Sequence, residues 1–184
     1  MCSSDLELDR IETLVQNLLK ITKLDSGTIV LEKVTENVAD MMRDIELHFA
    51  YRARREQKSI VLSGSDNVSL LCDRDWLSEA IDNIVKNALD HTNKDDTIRI
   101  EWRALPSAVQ IVVRDNGCGI HPEDLYHIFK RFYRSRFSKD TQGIGLGLPL
   151  AKAIIEAHDG AIEVDSELRR GTSFIMNFLI PAKL

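Results

Sequence analysis

The chain has 184 residues, 43% hydrophobic and 29% charged, which is enough apolar material for one globular core and an appendage. Its net charge of -5 and pI near 5.6 argue against a nucleic-acid partner, whose phosphates call for concentrated positive charge; the basic residues gather only locally, around Lys130, Arg131, Arg134, Arg136 and Lys139. Three cysteines (Cys2, Cys72 and Cys118) make no disulfide framework or zinc pairing and suit a reducing compartment, and no apolar run approaches the roughly 20 residues that span a bilayer.

Residues 6–24 place Leu6, Leu8, Ile11, Leu14, Val15, Leu18, Leu19, Ile21 and Leu24 at steps of three and four, with acids early and lysines late. This predicts an amphipathic helix that is apolar on two sides. Asp25-Ser26-Gly27 supplies a glycine stop and a boundary, after which residues 28–34 alternate in the manner of a strand. A second helix is expected over 38–56. Residues 59–62 and 69–72 read as short strands joined by a Gly-Ser-Asp-Asn turn, and Asp75 is a candidate cap for a helix reaching about His91.

Residues 97–103 and 109–114 alternate on either side of Leu105-Pro106-Ser107, which predicts a hairpin. The long charged stretch from Asn116 to Gln142 holds helical candidates only around 123–133; loops of that length in a compact domain are usually functional lids. A helix over 148–158 closes at Asp159-Gly160, and a hairpin of 161–166 with 172–180 ends the chain. Helices with a mostly antiparallel sheet in this mixture indicate a two-layer α/β sandwich.

Four clusters carry chemistry. Asn83 and Asn87 lie four apart on one helix face, with Asp90 and His91 just beyond; an amide oxygen there suits Mg²⁺, or the amides bind only water. Asp115-Asn116-Gly117-Cys118-Gly119 ends an apolar strand. A carboxylate fixed there can accept a hydrogen bond from an exocyclic amine such as that of adenine, with Ile120 under the base, although an ordinary Asp-Asn-Gly turn reads the same way.

Gly143, Gly145 and Gly147 alternate before an apolar helix that includes Leu148, so backbone N–H groups can face an anion; a flexible glycine hinge is the alternative. Their spacing matches neither the dinucleotide fingerprint nor a P-loop. Arg131 and Arg134 flank Phe132 and Tyr133, with Phe129 upstream, so the aromatic pair can anchor the segment while an arginine reaches a phosphate. The alternative is a solvated face. The histidines His48, His121, His127 and His158 read as core or surface residues, and His91 is set apart by the asparagines beside it.

In this order and spacing the clusters resemble the catalytic and ATP-binding domain of a sensor histidine kinase of a two-component system, in the superfamily shared with gyrase, the Hsp90 chaperone and the MutL repair protein. The resemblance runs over residues 29–184. Residues 83–92 are similar to the asparagine box, 115–119 to the first glycine box, 129–134 to the phenylalanine box, 143–148 to the second glycine box and Gly171-Thr172-Ser173-Phe174 to the last.

The resemblance implies a Bergerat-type sandwich, a mixed and mostly antiparallel sheet covered by helices, over 28–184. It implies ATP and Mg²⁺ as cofactors: Asn87 holds the metal, Asn83 supports the triphosphate, Asp115 binds the adenine amine and Thr172 stands near the base. Gly117 and Gly119 let the chain pass close to the base, and His91 takes a place where a tyrosine often lies against the nucleotide. Gly143, Gly145 and Gly147, with Leu146 and Leu148 among them, hinge a lid over the phosphates, and Arg134 approaches the terminal one. Asp90 stands where many members carry a phosphate-binding lysine, and a carboxylate there can act instead on the metal's waters.

ATP-hydrolysing branches carry a glutamate at the position of Asn83; a carboxamide cannot take water's proton, so transfer to a protein acceptor is expected, with Asn83 and Arg134 as the catalytic residues. Residues 1–27 resemble the second helix of the family's dimerisation and phosphoacceptor domain, and no histidine in the chain has the acceptor's sequence context. The expectation is therefore a cytoplasmic kinase domain, itself a monomer, of a membrane-anchored homodimer. Its acceptor histidine lies on an absent helix of the same protein, and a response regulator is the downstream partner. Two alternatives stand: a serine/threonine kinase of the anti-sigma or mitochondrial dehydrogenase-kinase type, and a nucleotide-sensing interaction module without kinase activity.

Overall fold

The computed structural model describes residues 3–135 and 143–180, with side chains from residue 7 onward. Cys2, the side chain of Leu6, Arg136, Lys139 and the end of the expected lid up to Gln142 lie outside the described residues.

Helix α1 (Ser3–Asp25) ends as the sequence predicts: Thr28 N–H reaches Lys23 O at 3.0 Å and Gly27 N–H reaches Leu24 O at 3.1 Å, the paired bonds of a glycine-closed C-terminus. Its two apolar sides have different fates. Ile21 is buried and Leu14, Leu18 and Leu24 pack against the main core, whereas Leu8, Ile11, Val15 and Leu19 face outward. Residues 28–33, expected as a strand, have no regular structure. The strand begins at β1 (Val34–Asn37), where a partner exists, because alternation alone does not make a strand without a neighbour to pair with.

Helix α2 (Val38–Arg55) is capped by Asn37, whose side chain accepts from Asp40 N–H. Strands β2 (Ser59–Gly64) and β3 (Ser69–Cys72) occupy the expected positions but belong to different sheets. β3 pairs antiparallel with β1. β2 runs parallel to β4 (Thr97–Leu105), so the turn between β2 and β3 joins two sheets rather than closing a hairpin.

Helix α3 (Arg74–Asp90) starts at Asp73, not Asp75. Asp73 has the extended backbone of a cap and accepts from Trp76 N–H, which leaves Asp75 in the first turn, where its charge suits the positive helix end. The expected hairpin forms from β4 and β5 (Ala108–Asp115). Between residues 123 and 133 only a single turn, α4 (Pro122–Leu125), is helical. A proline opens it, and Phe132 adopts a positive φ of 61° that no helix accepts. Helix α5 (Gly147–Ala157) and the hairpin β6 (Gly160–Glu167) and β7 (Gly171–Leu179) complete the chain.

The five-stranded sheet has the order β2-β4-β5-β7-β6 and is antiparallel except for its β2–β4 edge. One face presents Ile98, Ile100, Ile111, Val113, Phe174, Met176 and Phe178 to α2, α3 and α5, which bury Met41, Met42, Ile81, Ile84, Ile154 and Ile155 against them. His158 clamps two of these helices. Its Nδ1 lies 2.8 Å from Ile154 O and its Nε2 accepts Asp73 N–H at 3.1 Å, joining the end of α5 to the start of α3. Burial holds its pKa below the ordinary value, consistent with a neutral ring; of the core and surface places the sequence left open, His158 takes the core.

Candidate functional site

The ends of α3, β5, α5 and the β6–β7 turn enclose a cleft of about 330 Å³. From α3 it receives Asn83, Lys86, Asn87, Asp90 and His91, a single face at intervals of three and four. Asn83 Nδ2 donates to Glu79 O at 3.0 Å, and its oxygen is the atom that a Cβ at Gly147 would approach. The amide oxygen is thus turned toward the first residue of α5. Gly147, Leu148 and Pro149 line the cleft there, and Leu146 ahead of them makes no side-chain cap.

The opposite wall is built by β-sheet register. Asp115 lies opposite Thr172 in the β5–β7 ladder, and both are buried and line the cleft. The Asp115 carboxylate accepts Gly117 N–H at 2.9 Å and is also hydrogen-bonded by the backbone of Thr172; burial nevertheless dominates and raises its pKa above the ordinary carboxylate value. Cys118 N–H donates to His91 O at 3.2 Å, Arg169 N–H to Cys118 O at 2.8 Å and Ile120 N–H to Ser166 Oγ at 2.8 Å. The loop after β5 is therefore pinned between α3 and the β6–β7 turn, which carries Ile120 into the cleft wall.

The aromatic segment folds over the glycine cluster. Phe132 N–H donates to Gly145 O at 2.9 Å, and Gly145 has a φ of +77°; a Cβ there would come within 2.7 Å of Tyr133 O. The anchoring differs from the sequence expectation. Phe132 is exposed, while Phe129 packs edge-on against Phe174 with centroids 6.3 Å apart, and the Tyr133 hydroxyl donates to the buried carboxylate of Asp124 at 2.5 Å. Asp124 also accepts from the Ser135 hydroxyl. Arg131 turns away to pair with Asp25 at the end of α1, which leaves Arg134 as the arginine of this segment on the cleft wall.

Of the residues singled out from sequence, Asn83, Asn87, Asp90, His91, Asp115, Gly119, Ile120, Arg134, Gly143, Gly145, Gly147, Leu148 and Thr172 converge on the cleft. Gly117 sits behind Asp115, and Leu146 belongs to the core. Sequence reasoning missed Lys86, which helical spacing from Asn83 would have revealed. It also missed Asp124 and Ser135, which only tertiary folding brings in. Among the described residues no cluster of histidine, cysteine and carboxylate side chains could hold a metal by itself. The donor set that fits Mg²⁺ is the side-chain oxygens of α3, hard ligands of the kind that ion takes alongside water and phosphate.

Residues 72–183 match the family of histidine kinase-, DNA gyrase B- and HSP90-like ATPases. The sensor protein SrrB of Staphylococcus aureus is 30% identical over 177 residues, covering 95% of this chain and 30% of SrrB, so the chain spans about a third of the relatives it matches. Among solved structures, full-length ShkA in complex with AMPPNP superposes with a TM-score of 0.82 at 25% identity, over 92% of this chain and 36% of ShkA. The histidine kinase AdeS of Acinetobacter baumannii does so at 0.80 and 19% identity, over 95% and 80% of the two chains. The histidine kinase ThkA, solved in complex with the response regulator protein TrrA, does so at 0.78 and 24%, over 98% of this chain and 50% of that one. With a cleft of this construction on a Bergerat fold, the chain belongs to the histidine kinase-, DNA gyrase B- and HSP90-like ATPase family and is homologous to the sensor histidine kinases.

Proposed function

We propose that the chain binds Mg·ATP in this cleft and transfers the γ-phosphoryl group to a histidine of a phosphoacceptor helix, for relay to a response regulator. The observation that carries the reading is the convergence of Asn83 and Asn87, the Asp115–Thr172 pair, and Gly143, Gly145, Gly147 and Leu148 on one cleft. Asp115 and Thr172 take the adenine edge, with Ile120 against the base. Asn83 turns its oxygen toward the start of α5, where the phosphates lie between the two helices, and Arg134 meets the terminal phosphate. Asn87 holds Mg²⁺, which when bound neutralises phosphate charge.

In the transfer, an imidazole nitrogen of the acceptor bonds to the γ-phosphorus as the bridging oxygen to the β-phosphate departs with ADP. The protein contributes position and charge. Asn83 has no carboxylate to activate water, which favours a protein acceptor over hydrolysis. Residues 28–184 form the catalytic unit and residues 1–27 the end of the phosphoacceptor domain. The whole protein is a membrane-anchored homodimer with this domain in the cytoplasm. ShkA's complex with a nucleotide analogue and ThkA's with a response regulator support this assignment by family likeness.

The test is incubation of the chain with γ-labelled ATP and Mg²⁺, with a phosphoacceptor domain supplied in trans. Label is expected on the acceptor histidine and on none of the chain's own. ATP binding without any labelled histidine would instead favour a nucleotide-sensing module. In Asn87→Ala the enhancement of ADP binding by Mg²⁺ should vanish while metal-free binding survives, read by titration with and without the ion.

A further inference from the structure

Helix α3 ends on an acid in the cleft wall. Asp90 is its last residue, where the negative end of the helix dipole disfavours a carboxylate. Lys86 stands one turn earlier, in the less favourable order for a helical ion pair. Helix stability therefore accounts for neither residue.

Their partners do. Asp90 Oδ1 receives Arg52 Nη2 of α2 at 2.6 Å, and Oδ2 receives Lys86 Nζ at 3.2 Å. Arg52 Nε also donates to Glu56 Oε1 at 2.8 Å, and Glu56 Oε2 takes Lys58 Nζ at 2.7 Å. Lys86, Arg52 and Lys58 thus face Asp90 and Glu56, and at least one positive charge is in surplus. The short bond from Arg52 neutralises Asp90, so the carboxylate is not free to repel phosphate or to serve the waters of a metal. Lys86 holds the surplus loosely. Its side chain is 59% exposed, against 22% for Asp90 and 27% for Arg52, and it shares the cleft face with Asn83 and Asn87.

We propose that Lys86 is the phosphate-binding cation of α3, parked on Asp90 and drawn onto the nucleotide phosphates when ADP or ATP enters, and that Arg52 is a positioning residue. Arg52 keeps Asp90 paired after Lys86 leaves, so the move strands no buried charge. A lysine suits this role as a mobile point charge with three donors. The proposal rests on the nucleotide-binding reading of the cleft.

Calorimetric titration of the chain with adenosine and with ADP, at low and moderate salt, tests it. Lys86→Met is expected to weaken ADP about tenfold, the loss of one charge-assisted hydrogen bond, and to flatten the salt dependence, with adenosine unchanged. Lys86→Arg should keep most of the ADP affinity. Arg52→Met should weaken ADP but not adenosine, because Asp90 then retains Lys86. Unchanged ADP binding in Lys86→Met would overturn the proposal while leaving the cleft a nucleotide site. Equal loss of adenosine and ADP would overturn it in favour of a structural role. A wild-type chain that binds neither ligand would remove both this proposal and the reading beneath it.

Discussion

Asp115→Asn is expected to weaken ADP and ATP binding by about a hundredfold or more without lowering the melting temperature. Asp115 is 5% exposed, and its carboxylate already accepts Gly117 N–H and is hydrogen-bonded by the backbone of Thr172. Its remaining acceptor capacity is what an adenine amine would use. An amide in its place keeps the size but can present two N–H donors to that amine, and a site built to pair one polar group rejects a mismatch by large factors, roughly 10² and above. Stability responds in the other direction. Burial raises the folded-state pKa of Asp115, so its stabilising contribution belongs to the protonated form and is lost as pH rises through that pKa. Above that pKa the ionised carboxylate is a cost to the fold, and the neutral amide removes it. Calorimetry and thermal melts on the same samples would show binding lost with the melting temperature held or raised. Retained binding would mean that Asp115 is not the adenine partner.

The same shift gives wild-type binding a pH dependence. ADP affinity should fall as pH is lowered through the raised pKa of Asp115, because protonation turns one carboxylate oxygen into a donor and discharges the acceptor offered to the proposed amine. Titrations from neutral to mildly acidic pH should show this slope, and Asp115→Asn should show none of it. An equal slope in the variant would assign the titration to another group.

The parts of the site that were legible in the sequence are those set by local rules. Asn83 and Asn87 share a face because a helix repeats every 3.6 residues, and the β4–β5 hairpin follows from alternation around Pro106-Ser107. What was illegible depends on partners distant in sequence. The alternation of residues 28–34 could not show that only Val34 onward meets β3, nor could residues 59–62 show that their neighbour would be β4 rather than β3. Asp73 and Asp75 are both plausible caps by residue type; the backbone at Asp73 decides between them. From sequence Asp90 was a carboxylate where many members carry a phosphate-binding lysine, with the metal's waters as its suggested role. Its pairing with Arg52, 38 positions away, was illegible because no window along the chain contains both residues in a recognisable pattern.

Gly171→Ala is expected to be among the most damaging small substitutions at the described residues. Gly171 opens β7 with a φ of +111°, a backbone conformation that L side chains rarely adopt, and a Cβ there would lie 2.0 Å from Asp115 O and 2.8 Å from Asn116 Cα. Both obstacles are backbone, so no side chain can swing aside. Strain and overpacking together should cost about 3 kcal/mol or more, which for a domain of this size lowers the melting temperature by roughly 6–12 °C. The displacement falls on the strand that carries Asp115, the carboxylate proposed to bind adenine, so nucleotide affinity should fall as well, even well below the melting point. Gly27→Ala separates the two causes: its φ is also positive, at +66°, but nothing lies within 4 Å of the added Cβ. That variant should lose about 1 kcal/mol and no affinity. If both variants melted alike, backbone strain alone would explain Gly171. A larger loss at Gly171, accompanied by weaker ADP binding, would identify it as the residue whose missing side chain lets β7 close against Asp115 and form the floor of the pocket.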